Sequence, residues 1–135
     1  LNRFMLTHAL IHLSTFGGAD VGCMAAMACI NLIMKNKLWE NAKKMGEALA
    51  AGLKEAADEN PAKLKQVRGA GLLQAVETAD DETAAAFTRN LAANGVIAMP
   101  TPGCKRVVRF TPPIDINEEE INLVTAAAKT AAKAI

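Results

Sequence analysis

Arg109 is the residue whose setting asks most plainly for a chemical role. It stands in Val107-Val108-Arg109-Phe110-Thr111-Pro112-Pro113, where a guanidinium on an otherwise apolar strand must reach solvent or meet a carboxylate. Its planar fork suits a carboxylate, whether that comes from a ligand or from a neighbouring Glu. A second candidate is the loop Ser14-Thr15-Phe16-Gly17-Gly18. Two hydroxyls, free backbone N–H groups and flexible glycines just before a long helix are the components of a phosphate site. The same residues also make an ordinary helix entry, and Asp20 would repel an anion if it faced the same side.

Other groupings fall short of a site. His8 and His12 have the i, i+4 spacing of zinc-binding histidines, but Ala9 stands where the glutamate belongs and no further ligand lies nearby. Cys23 and Cys29 fall on different faces of a helix, and Cys104 sits in a turn without an adjacent His, so all three read as structural. Gly69-Ala70-Gly71 begins like a dinucleotide fingerprint, yet Gln74 replaces the third glycine and a strand follows instead of a helix. Arg68 reads as one half of a structural ion pair. Met24, Met27, Met34 and Met45 read as core filling.

The elements that must position these residues follow from periodicity. Residues 1–19 have little. Asp20 stands as an N-cap before an apolar run, Val21 to Met34, which is apolar on nearly every face and so predicts a mostly buried helix. Burying it all round in so short a chain requires another domain or subunit as cover. Glu40 to Glu59 is a second helix, with Ala42, Met45, Leu49, Leu53 and Ala56 on one face, ended by Asn60-Pro61. Val67 to Val76 reads as a strand with a glycine bend. Asp80 or Asp81 caps a helix through Ala93, closed by Asn94-Gly95. Val96 to Met99 and Arg106 to Thr111 are strands about the Pro102-Gly103 turn. Asn117 and Glu120 form a capping box before a last helix marked by Ile121, Val124 and Ala128. The order α-α-β-α-β-β-α predicts an α+β, two-layer fold, a small sheet covered by helices.

Composition narrows the function classes. With 135 residues, 51% hydrophobic and 21% charged, the chain is globular in character rather than disordered. Aromatics are only 4% with no Tyr, and 15 basic residues are interspersed with 14 acidic ones, so there is neither a stacking platform nor a basic stripe for nucleic acid. Val21 to Met34 is too short to span a bilayer and is interrupted by Asn31. Three cysteines cannot all pair within the chain, which reads as free thiols in a reducing, cytoplasmic compartment. A start at Leu1 rather than Met is expected of a piece of something longer.

Three separated segments carry a resemblance. His12-Leu13-Ser14-Thr15-Phe16-Gly17-Gly18, Val67-Arg68-Gly69-Ala70-Gly71-Leu72, and Val108-Arg109-Phe110-Thr111-Pro112-Pro113 with Glu118-Glu119-Glu120-Ile121 resemble the C-terminal part of class-III pyridoxal-phosphate aminotransferases. These are the fold-type-I enzymes of the ornithine, acetylornithine and 4-aminobutyrate type. Glu40-Asn41-Ala42-Lys43-Lys44-Met45-Gly46 fits as well, and the resemblance runs over essentially the whole chain.

The resemblance implies a small domain with an antiparallel-containing sheet over residues 20–135, preceded by an interface and phosphate-loop segment over 1–19. It implies that Ser14 and Thr15 contact the cofactor phosphate of the other subunit in a homodimer. Arg109 would bind the substrate carboxylate or pair with an active-site glutamate. The family often continues Gly-Gly-Asn-Pro where Ala19-Asp20 follow Gly18 here. The implied parent moves an amino group from an amino acid or ω-amine to a 2-oxo acid. The large cofactor domain and the Schiff-base lysine belong upstream, and none of the ten lysines here has a matching context, so no catalytic residue is expected in this chain and it should be inactive alone. A stand-alone interaction module or an inactive transaminase homologue is the alternative from another class.

Overall fold

The computed structural model describes residues 2–8 and 14–135. The chain divides into two compact units, Leu1–Asn36 and Lys37–Ile135. The apolar helix falls in the first of these units.

The first unit holds α1 (Asn2–Thr7) and α2 (Asp20–Asn36). Asp20 is the first residue of α2, not the residue before it: the Cys23 N–H donates to the Ala19 carbonyl at 2.9 Å. Its carboxylate therefore adds negative charge to the first turn, where the helix dipole favours it. No residue of α2 is buried, against the expectation of a mostly buried helix. Met24, Met27 and Met34 stand exposed and fill no core; of the four methionines read as core filling only Met45 does so. A helix apolar on nearly every side has little polar face to give to water, and the described residues of its own unit leave it uncovered.

The second unit contains α3 (Leu38–Glu59), β1 (Leu64–Ala70), β2 (Leu73–Thr78), α4 (Asp81–Ala93), β3 (Met99–Thr101), β4 (Cys104–Phe110) and α5 (Glu118–Lys133). The strands form one antiparallel sheet in the order β1-β2-β4-β3. The stretch read as one bent strand is a hairpin, turned at Gly71-Leu72 between the paired residues Ala70 and Leu73. Gly71 adopts a φ of 52°, open to glycine because it has no Cβ. Side-chain caps start two of the helices. Asp80 accepts the Thr83 N–H at 2.7 Å, and Asn117 and Glu120 exchange bonds at 2.9 and 3.0 Å.

The core lies between the sheet and its helices. Leu49 and Leu53 of α3, Phe87 and Leu91 of α4, and Ile121 and Ala128 of α5 bury almost completely against Val76 and Val108. Helix α3 lies on β1 and β2, α4 on β2, β4 and β3, and α5 packs against α3 and α4. Alternation along the strands leaves the opposite sheet face to Gln66, Arg68, Ala75, Glu77, Met99 and Arg109. No single helix among the described residues is long and apolar enough to cross a membrane.

Candidate functional site

Arg109 lies near the end of β4, a central strand whose Val108 and Phe110 anchor it in the core. Ala75 of β2 stands opposite it on one side and Met99 of β3 on the other. Its backbone is thus held by two ladders while the side chain emerges exposed on the open face. Among the described residues no carboxylate lies within ion-pair distance of it. It lines a cavity of about 640 Å³ together with Ile97, Met99, Pro112, Asp115 and Glu120. A guanidinium with no ion-pair partner among the described residues has donors that could take a planar anion.

The wall of that cavity is fixed from a distance. Asn41 on α3 donates from Nδ2 to the Ile114 carbonyl at 2.9 Å and to the Ile116 carbonyl at 3.0 Å. Both acceptors sit in the segment that follows Arg109 in the chain, so α3 pins the loop that closes the cavity. Sequence reasoning missed this role, because the partners are more than seventy residues apart and carry no local signal.

Arg68 behaves as its sequence reading states. It donates to Glu77 Oε2 at 2.5 Å and to Gln66 Oε1 at 2.9 Å, while Arg106 Nε meets Glu77 Oε1 at 3.2 Å. The hydrogen bond from Arg68, with the charge of both arginines, holds the Glu77 carboxyl below its ordinary value.

Ser14 and Thr15 stand exposed in the first unit, so they and Arg109 belong to different units. The loop is tight: a Cβ on Gly17 would lie 2.8 Å from Ser14 Oγ, and Gly18 takes a φ of 80°. Behind it the first-turn N–H groups of α2 have no helical acceptor. Two hydroxyl donors beside such N–H groups fit a phosphate, although Asp20 contributes an opposing charge.

The histidines, cysteines and glycine pair have other settings. His8 stacks on Phe4 with centroids 4.2 Å apart, and its Nδ1 lies 3.1 Å from the Phe4 carbonyl. His12 falls outside the described residues. Cys23 and Cys29 are exposed free thiols and Cys104 is half-buried. Gly69-Ala70-Gly71 closes one strand of a hairpin, a setting without the helix N-terminus that a dinucleotide needs.

Comparison with known proteins agrees with this architecture. The family model for aminotransferase class-III matches residues 2–131. A putrescine aminotransferase of Pectobacterium atrosepticum is 34% identical over 129 residues, which is 96% of this chain and 28% of that protein. A Bacillus anthracis aminotransferase superposes with a TM-score of 0.82 at 29% identity, covering 93% of this chain and 31% of the other. The ornithine aminotransferase of Toxoplasma gondii ME49 gives 0.79 at 32% identity, with 94% and 30% covered. The chain thus spans about a third or less of the length of these proteins, and by sequence and fold together it belongs to the class-III aminotransferase family.

Proposed function

We propose that this chain is the C-terminal portion of a pyridoxal-phosphate-dependent transaminase, and that its own contribution is to hold a substrate carboxylate and a cofactor phosphate. The observation that carries the reading is Arg109, an exposed guanidinium without an ion-pair partner among the described residues, at the edge of a cavity of about 640 Å³. The class-III family generally implies pyridoxal phosphate, which when bound supplies the electron sink for moving an amino group between an amine donor and a 2-oxo acid.

In this reading Arg109 binds and orients the carboxylate of the donor or acceptor by two parallel N–H donations. Ser14 and Thr15, with the first-turn N–H groups of α2, hold the phosphate of the cofactor seated in the second subunit of a homodimer. That assignment gives the exposed apolar face of α2 a partner surface, the cofactor domain or the other subunit. Lys43, Lys44 and Lys54 stand in water on α3, so the lysine that anchors the cofactor comes from outside this sequence. Exposed free thiols suit a reducing compartment, and we read the protein as cytoplasmic.

The test is Arg109→Lys in the full-length enzyme. Loss of the bidentate geometry raises KM for carboxylate substrates by about tenfold, the size of one charge-assisted hydrogen bond, and leaves KM for a diamine donor unchanged. Unchanged KM and kcat for every substrate would refute the role.

A further inference from the structure

The open sheet face carries an arrangement that bears on how Arg109 stays available. Register sets Arg68 opposite Ala75, and Ala75 opposite Arg109, so the three form one cross-strand row. Glu77 lies two residues beyond Ala75 on β2, on the same face. It is therefore the diagonal neighbour of Arg68 on one side and of Arg109 on the other, at a separation that long side chains bridge. Both carboxylate oxygens are nonetheless committed away from Arg109. Oε2 takes Arg68 at 2.5 Å and Oε1 takes Arg106 at 3.2 Å. Gln66 adds a contact to the Arg68 guanidinium at 2.9 Å, which fixes that side chain over Glu77.

We propose that Arg68 is a positioning residue for substrate binding: by holding Glu77 it keeps this diagonally placed carboxylate off Arg109 and so leaves Arg109 free for an incoming one. The proposal rests on the reading of Arg109 given above. Without Arg68, Glu77 keeps Arg106 on one oxygen and swings the other toward Arg109, where it competes with the ligand. Three arginines around one glutamate thus leave one guanidinium unneutralised, and the order of the strands decides which one.

Isothermal titration of the full-length, cofactor-loaded enzyme with glutarate, an unreactive dicarboxylate, tests this directly. Arg109→Gln weakens glutarate by about tenfold or more, the loss of one charged hydrogen-bonding partner. Arg68→Ala weakens it by about three- to tenfold, the size of one partly exposed ion pair. Arg68→Lys, which keeps a cation beside Glu77, stays within about twofold of the parent by the same scale. The double variant Arg68→Ala with Glu77→Gln recovers the parent affinity, since the competitor is gone. A purely structural role for Arg68 would not be rescued by removing Glu77. If Arg68→Ala binds like the parent while Arg109→Gln does not, or if the double variant stays weak, this inference fails and the reading of Arg109 survives. If the parent fails to bind glutarate, or Arg109→Gln binds it equally well, the reading of Arg109 fails and takes the inference with it.

Discussion

Gly46→Ala is the substitution whose effect the structure specifies most fully. A Cβ at Gly46 would lie 2.2 Å from both the carbonyl carbon and the carbonyl oxygen of Gly71, and 2.5 Å from its Cα. These are backbone atoms of the β1–β2 turn, which cannot rotate aside as a side chain would. Relief requires α3 and the hairpin to separate by about 1 Å, which costs the neighbouring buried contacts a quarter to a half of their attraction. The neighbours concerned, Met45, Leu49 and Leu72, are almost wholly buried. Overpacking of this kind costs about 3 kcal/mol, while replacing a mid-helix Gly by Ala returns about 1 kcal/mol, so the net loss is about 2 kcal/mol. For a domain of this size that corresponds to a fall in Tm of roughly 8–16 °C. Urea unfolding followed by circular dichroism measures it as a lower midpoint at constant slope. Gly103→Ala is the matched control, because nothing lies within 4 Å of a Cβ there; it stays within about 0.5 kcal/mol of the parent. Equal stabilities for the Gly46 variant and the parent would refute the close approach of α3 to the turn.

Further outcomes follow from other contacts. Asn41→Ala removes two hydrogen bonds from the cavity loop and lowers stability by about 1–3 kcal/mol, with faster amide exchange over residues 114–116 as the specific sign. Asn117→Ala breaks the capping box and costs about 1 kcal/mol, visible as a lower urea midpoint. The carboxyls of Glu77, held down chiefly by Arg68, and of Asp80, held down by the Thr83 N–H, contribute stability above their ordinary values of 4.5 and 3.8 and lose it as pH falls through their lowered folded values. The urea midpoint therefore declines below about pH 4.5, and Glu77→Gln makes that decline shallower; an identical acid limb in the variant would count against the ion pairs. Lys129, raised chiefly by the hydrogen bond it donates to Glu55, gives the opposite limb, with stability lost as pH rises beyond 10.5.

Where apolar spacing and capping residues agree, the elements stand in the residues themselves. Helix α3 is an example: its apolar face buries Met45, Leu49, Leu53 and Ala56, and Asn60-Pro61 ends it. The caps of α4 and α5 were equally legible, because Asp80 and Asn117 act on N–H groups three residues away. The hairpin was not. Its turn pairs Gly71 with Leu72, and Leu72 is buried, so the polar residues that ordinarily mark a turn are absent. Helix α2 misled in another way. Apolarity on every face predicts burial, but only a covering partner decides where that burial happens, and three methionines assigned to the core stand exposed. For the site, an arginine among apolar strand residues pointed to Arg109. Its freedom from Glu77 depended on register across three strands, and its cavity wall on an asparagine far off in sequence; neither is a local property.

The measurement that bears most directly on the central claim is the intact mass of the native product, by immunoblot and mass spectrometry in its source. The aligned part of this chain makes up 28% of the related putrescine aminotransferase, so the account predicts a product about three and a half times the 14.2 kDa of this sequence. A native product of 14.2 kDa would contradict it, because such a protein would hold only the part that aligns with about a quarter of the related aminotransferase.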